Sequence, residues 1–447
     1  TRMPHAPTIN PVKQIIPRQQ LPEAIINGEC TGYMWDGSSM EAQMFPFTYP
    51  APGHSKIHMI YRYGNSTFGT ISDSTRFIES YRHPSVECVI NQSIWNEGDA
   101  KYADIILPAC TSVERWDIGD WAGCSGYIHH NHSQLNHRMV VLQHKCIEPL
   151  GESKSDYQIF ADILDRLGMG VMYTEGCSEL DWCKRVFEST DVAKKISWKE
   201  FVKKGYYVVA PEPEETRDGV AMRWFAEDRH KDMPEPLPFP AQFGEEMGKG
   251  LETQSGKIEF VSNSLARLQE QTHVAERPAL NKYIPAWEGP HSKELFAKFP
   301  LQMISSHPRY SFHTYGDAKN STINDIVDHR VNVDGYFYWV MRINSVDAEK
   351  RGIKHGDLVR VYNDRGTGVY VADVSPLTGV GLVKTYESCA DVDAYHHEKY
   401  GVIEFAGCAN VMTSKRSQVP GTESIAPNSC LVDIEKWTTP MSELKRA

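Results

Sequence analysis

The sequence predicts an α/β fold: a parallel-sheet layer toward its start and a small closed β-barrel at its C-terminal end. Two observations lead there. Between Ile57 and Ala109, three short apolar runs, IHMIYRY (Ile57–Tyr63), VECVIN (Val86–Asn91) and ADIILPA (Ala103–Ala109), alternate with a helical segment and a short polar one. Strands and helices alternating at that spacing build a parallel layer, whose ligands gather at the carboxyl ends of the strands. From Asp357 onward, DLVRVYN (Asp357–Asn363), GVYVADV (Gly368–Val374) and GLVKTY (Gly381–Tyr386) are short alternating runs separated by Gly and Asp turns. That punctuation belongs to a small barrel.

Taken in order, Thr1 to about Lys56 is rich in Pro and turn formers and reads as irregular chain. The first strand ends at a Gly64-Asn65-Ser66 turn, and a helix follows from Ser72 or Asp73 with Phe77, Ile78 and Tyr81 on one face. Pro108 stops the third strand. The segment Asp156–Gly168 has the stripe Ile159, Ile163, Leu167 and a Gly stop, so it is a helix. Met169 to about Pro300 mixes Pro-rich loops with a hairpin at Glu252–Ser262 and reads as insertions over the core. SVDAEKRGIKHGD is a short helix stopped at Gly352. The expected domains are residues 1–175, residues 176–295 as a connecting region, and residues 296–447.

The chain has 447 residues, 40% hydrophobic and 23% charged, which suits two to four globular domains. No apolar run approaches the roughly 18 residues that cross a bilayer. A formal net charge of -11 excludes non-specific nucleic-acid binding, which needs a basic face. The ten cysteines show no C-x-x-C, so no local zinc or iron–sulfur site is expected, and most read as reduced core residues. The chain opens on Thr1 without a signal-peptide pattern, which leads us to expect a segment upstream.

Seven blocks follow one another: MIYRYGNSTF, VINQSIWNEGDAKYADIILPACTSVERWDIG, LGESKSDYQIFADILDRLG, TQSGKIEFVS, ISSHPRYSFHT, GIKHGDLVRVYNDRG and GCANVMT. In this order, over most of residues 50–437, they resemble the C-terminal half of the catalytic subunit of molybdenum bis-pterin oxidoreductases of the dimethyl sulfoxide reductase family. The resemblance implies a Rossmann-like cofactor domain and a C-terminal six-stranded double-psi β-barrel. It also implies the ligand, one molybdenum held by two molybdopterin guanine dinucleotides. The metal's protein ligand and the usual iron–sulfur cysteines would lie upstream.

A pyrophosphate needs backbone N–H donors from tight turns, supplemented by a few cationic side chains. Gly64, Asn65 and Ser66 form such a turn, and Arg115 holds the family's E-R position. The Gln-Asp pair that meets a guanine in the family is Gln92-Ser93 here, so another acceptor must serve that base. Ser306, His307, Arg309, Ser311 and His313 occupy a loop that runs beside the pterin in similar proteins, and Asn410 matches a further pterin-contacting amide. Asp104 has two readings, a cap on a buried strand or a cofactor contact. The run His129-His130-Asn131-His132, with His137 and His144, lacks an i, i+4 frame and reads as surface or funnel-lining histidines rather than a metal site.

Beyond Arg115, the segment with Trp116, Asp117, Trp121, Cys124 and Tyr127 should face the substrate funnel. Indoles, a phenol and a thiol suit a flat aromatic substrate; alternatively, the Trp residues pack the loop. Trp116, Cys124 and Tyr127 are therefore the catalytic-pocket candidates. The resemblance points to a family member that transfers hydroxyl groups between polyphenols, with a small iron–sulfur partner subunit and a cytoplasmic location. The alternatives are an S-oxide or N-oxide reductase and a cofactor-less structural subunit.

Overall fold

The structure is a computed structural model that describes residues 11–34, 45–64, 66–122, 137–209, 259–272, 278–310, 313–314, 326, 330–387, 389–416, 426 and 428–447. It divides into two compact units: Thr1–Pro11 with Leu107–Glu259, and Val12–Ile106 with Phe260–Ala447. Both units are discontinuous in sequence, whereas the expected domains run consecutively.

In that larger unit the parallel layer forms where the apolar runs place it. Strands β1 (Met59–Tyr63) and β2 (Cys88–Ser93) are parallel, in register from Met59↔Cys88 to Tyr63↔Gln92, and β3 (Ile105–Pro108) joins the other edge of β2. The predicted helix is Ser74–Tyr81; Phe77 and Tyr81 are buried and Ile78 packs on the core. A one-turn helix, Thr67–Thr70, precedes it, capped by Ser66. The irregular reading of the first 56 residues needs correction: Leu21–Asn27 is helical and Cys30–Met34 pairs antiparallel with Phe45–Tyr49. Pro22 in the first turn and left-handed Gly28 past the end were the available signals.

The smaller unit holds an antiparallel sheet of β4 (Asp117–Ala122), β5 (His137–Gln143) and β6 (Tyr206–Val208). The helix predicted at Asp156–Gly168 runs Asp156–Arg166, capped by Ser155. Its buried residues are Ile159 and Ala161, while Leu167 lies beyond its end and is exposed, so the expected stripe is shorter than proposed. The insertion reading overlooked helices Gly170–Thr174, Glu179–Glu188 and Trp198–Lys204. Two of them open with capping boxes, Ser178 with Asp181 and Ser197 with Glu200, a pattern present in the sequence. They enclose a core of Val140, Leu142, Cys183, Phe187, Val192 and Phe201. Most of the proposed Glu252–Ser262 hairpin lies outside the described residues; Val261 bridges Leu280.

The C-terminal strands close into the six-stranded barrel. They are β7 (Leu301–Ser306), β8 (Tyr336–Ile343), β9 (Leu358–Tyr362), β10 (Thr367–Val374), β11 (Leu382–Tyr386) and β12 (Leu431–Lys436). Around the ring the order is β8, β11, β7, β12, β9, β10 and back to β8. The pairs β8/β10 and β11/β7 are parallel and the other four antiparallel. Closure removes the exposed edges that short strands would otherwise leave. One hydrophobic cluster runs from the parallel layer (Ile60, Phe68, Phe77, Val89) into the barrel (Met303, Trp339, Val359, Val383). Burying both layers in one core fixes the sheet edge against the barrel loops, which is what positions the candidate site.

Candidate functional site

The carboxyl ends of β1 and β2 carry a dense set of polar side chains. Gly64 has the left-handed φ of 79° expected of a tight turn, and its N–H donates to the Gln92 carbonyl at 2.9 Å. Ser66 caps the following helix by accepting from the Gly69 N–H at 3.1 Å, and its hydroxyl donates to Asp99 at 3.2 Å. Asp99 also accepts the Phe68 N–H at 3.1 Å and the Tyr81 hydroxyl at 3.2 Å. The N–H groups of Gly64, Phe68 and Gly69 are thus engaged inside the protein, and an anion here would rely on other donors. Asn65 lies outside the described residues.

Gln92 is buried and accepts the Tyr61 hydroxyl, and the Ser93 hydroxyl donates to Glu97 at 3.1 Å. Burial pushes the Glu97 carboxyl up to about 8, so it is largely protonated at neutral pH. Burial also raises Asp99, opposed by the Phe68 N–H and the Arg62 guanidinium, whose Nε is 3.5 Å away. Glu97 and Asp99 are not among the residues expected from the sequence; the signal there is two carboxylates flanking Gly98, shortly after the second strand. Asp104 is exposed, and its carboxylate accepts the Val89 N–H at 2.7 Å while its own N–H donates to the Val89 carbonyl at 2.8 Å. This contact fixes the junction of β2 and β3.

Three segments far apart in sequence meet at Gly69. The Asn410 amide donates to its carbonyl at 2.9 Å, and a Cβ built on Gly69 would lie 1.9 Å from the Cys389 carbonyl and 3.1 Å from the Thr314 methyl. The turn after β1 therefore meets Thr314, just past the SHPRYSFH stretch, the chain at Cys389 and the GCANVMT turn. On the loop, Ser306 ends β7, His307 Nδ1 lies 2.6 Å from Glu387 Oε1, and the His307 and His313 rings are 5.3 Å apart. Exposed Arg309 lies over the Tyr310 ring at 5.2 Å. His313 adopts φ 51°, a left-handed conformation uncommon outside glycine. Ser311 lies outside the described residues.

In the smaller unit, Arg115 pairs with Asp117 at 2.7 Å and its buried Nε has no protein partner. Trp116 packs on that unit's core and lies 5.1 Å from the His144 ring. Asp117 and Trp121 belong to strand β4, so the segment expected as loop is one arm of a sheet up to Ala122. Cys124, Tyr127 and the histidines His129, His130 and His132 lie outside the described residues. Every cysteine among the described residues is free.

A bound polar ligand is compatible with the atoms left over. Both amide atoms of Asn91, Glu97 Oε2 and Thr314 Oγ1 are buried without a hydrogen-bond partner. Each such group costs about 1–3 kcal/mol if nothing satisfies it. Donors and acceptors of this kind are satisfied by a polar ligand and not by an apolar one.

Residues 36–166 match the molybdopterin oxidoreductase family model, and residues 301–431 match that of the molybdopterin dinucleotide-binding domain. The chain is 47% identical over 427 residues to the pyrogallol hydroxytransferase large subunit of Pelobacter acidigallici, covering 95% of this chain and 48% of that protein. It is 29% identical to the dimethyl sulfoxide/trimethylamine N-oxide reductase of Cereibacter sphaeroides, over 88% of this chain and 43% of the relative. The solved acetylene hydratase of Pelobacter acetylenicus shares the fold, with a TM-score of 0.54, 14% identity, and coverage of 85% of this chain and 44% of that one. The chain thus spans about half the length of the curated relatives it matches.

Proposed function

Because the chain belongs to the molybdopterin oxidoreductase family and carries its molybdopterin dinucleotide-binding domain, we propose that it is the C-terminal half of a large catalytic subunit that transfers a hydroxyl group between polyphenols, from pyrogallol toward phloroglucinol. The observation that carries this reading is the 47% identity, over 95% of the chain, to a pyrogallol hydroxytransferase large subunit.

The cofactor in this reading is molybdenum bis(molybdopterin guanine dinucleotide), which supplies a redox-active metal centre at which substrate oxygen chemistry occurs. Residues 1–175 and 296–447 are its binding regions, and residues 176–295 connect them. Gly64, Asn65, Ser66, Gln92 and Ser93 are cofactor-binding residues in this reading. Ser306, His307, Arg309, Ser311, His313 and Asn410 present hydrogen-bonding groups to pterin and phosphate, Arg115 adds a cationic donor, and Asp104 can only accept, from a pterin N–H. Trp116, Cys124 and Tyr127 belong to the substrate pocket, where a phenol can donate to a substrate hydroxyl and its ring can stack on an aromatic nucleus. A small iron–sulfur subunit is the partner, and the complex is cytoplasmic; no described helix is long and apolar enough to cross a membrane.

The test uses the complete holoenzyme. It should contain one molybdenum and release two GMP per metal after acid hydrolysis, and it should turn over pyrogallol. Tyr127→Phe should keep the metal and lose turnover. Activity on an S-oxide with none on any trihydroxybenzene would instead favour the reductases to which the chain is 29% identical. Absence of pterin, molybdenum and tungsten would make it a structural subunit.

A further inference from the structure

The pairing of β7 with β11 places one carboxylate in a fixed relation to the loop that follows Ser306. These strands are parallel, in register from Leu382↔Gln302 to Tyr386↔Ser306. The register continues one residue further, because the Glu387 N–H donates to the Ser306 carbonyl at 3.0 Å. Residue 387 therefore emerges beside residue 307, where Glu387 Oε1 meets His307 Nδ1 at 2.6 Å. The carboxylate is set by the barrel itself, whereas the imidazole stands on a loop and is largely exposed. His313 completes the group: one ligand-type atom from each of His307, His313 and Glu387 lies within 4.8 Å of the others.

An ionised carboxylate has no proton to offer, so the hydrogen in this short contact sits on Nδ1. The hydrogen bond made by one imidazole nitrogen decides the role left to the other. With Nδ1–H committed to Glu387, the neutral form of His307 would present Nε2 as a lone-pair acceptor. A pterin ring carries amide and amine N–H groups that require acceptors, and the loop's Arg309 can only donate.

Resting on the cofactor reading above, we propose that Glu387 is a positioning residue: it fixes the tautomer and orientation of His307 so that Nε2 accepts a hydrogen bond from a pterin N–H. Glu387 does not itself touch the ligand. Changing it to glutamine keeps the shape but replaces a charged, acceptor-only group by an amide that can turn either its NH2 or its weaker carbonyl to Nδ1, so the Nδ1–H tautomer is no longer enforced. Aspartate keeps the carboxylate on a side chain one methylene shorter, which leaves a longer gap to Nδ1.

The experiment measures pterin and molybdenum per chain in purified holoenzyme, together with thermal stability. Glu387→Gln should weaken pterin retention about tenfold, the low end of the loss seen when the hydrogen-bond partner that orients a metal-ligating histidine is removed. Glu387→Asp should recover part of the loss. In a His307→Phe background, Glu387→Gln should add nothing, since its effect passes through the imidazole. Full pterin occupancy in Glu387→Gln beside a pterin-replete wild type would overturn the proposal alone, as would equal, additive losses in the double variant. Stoichiometric zinc retained by wild type and lost in all three single variants would also overturn it, making the group a metal site. A wild-type holoenzyme without pterin would remove the cofactor reading and this proposal together.

Discussion

The side-chain amide of Asn410 donates to the Gly69 carbonyl at 2.9 Å, and its oxygen accepts the Thr413 hydroxyl at 3.0 Å. One amide thus joins the turn after the barrel's long connection to the first helical turn beyond β1, across 341 residues of sequence. Its role begins before any ligand binds. Asn410→Ala should destabilise the cofactor-free chain by about 1–3 kcal/mol, because the Gly69 carbonyl loses its donor in a half-buried setting. Urea denaturation measures this; an unchanged midpoint would restrict Asn410 to ligand contact.

Glu97 should make stability fall as pH rises. Its folded pKa is raised from 4.5 to about 8 by burial, so below about 4.5 it is protonated in both states. Between those values the unfolded chain releases the proton while the folded chain keeps it, and stability is lost across that window. Glu97→Gln, which has no charge to bury, should match wild type at pH 4.5 and melt higher at pH 8.5. Melting curves at the two values decide the matter; a constant difference between them would argue against a titrating Glu97.

Glu114 should behave in the opposite sense. The Thr111 hydroxyl, the Leu150 N–H and the Thr111 N–H hold its carboxylate down to about 2, from an ordinary 4.5. Its contribution is complete above about 4.5 and disappears as pH falls toward 2. Glu114→Gln should therefore melt below wild type at pH 7, with the gap closing through that acid window. A gap that persisted at pH 2 would assign the loss to packing rather than charge.

Arg309 is exposed and makes a stacking contact with Tyr310 at 5.2 Å, so its removal should cost the bare chain little. If it meets a cofactor phosphate, Arg309→Ala should lose about 1.5–3 kcal/mol of charge-assisted binding. Molybdenum content and holoenzyme melting temperature should then fall together. Full occupancy with only a raised KM would reassign this loop to the substrate.

Alternation and turn residues were enough to place β1, β2 and β3, the helix Ser74–Tyr81 and the barrel strands β9, β10 and β11, because each buries a face whose period shows in its own residues. Ordered blocks such as SHPRYSFH and GCANVMT identified the family, since a ligand's chemistry leaves local marks. Helices Glu179–Glu188 and Trp198–Lys204 are also marked in the sequence, by their capping boxes. What only the tertiary structure decided are the long-range pairings. Barrel closure through β8 and β10, the convergence of Thr314, Cys389 and Asn410 on Gly69, and the meeting of His307 with Glu387 depend on strand register. Register and closure are chosen by summed burial and hydrogen bonding across hundreds of residues, a property of the whole core that no local segment of sequence encodes.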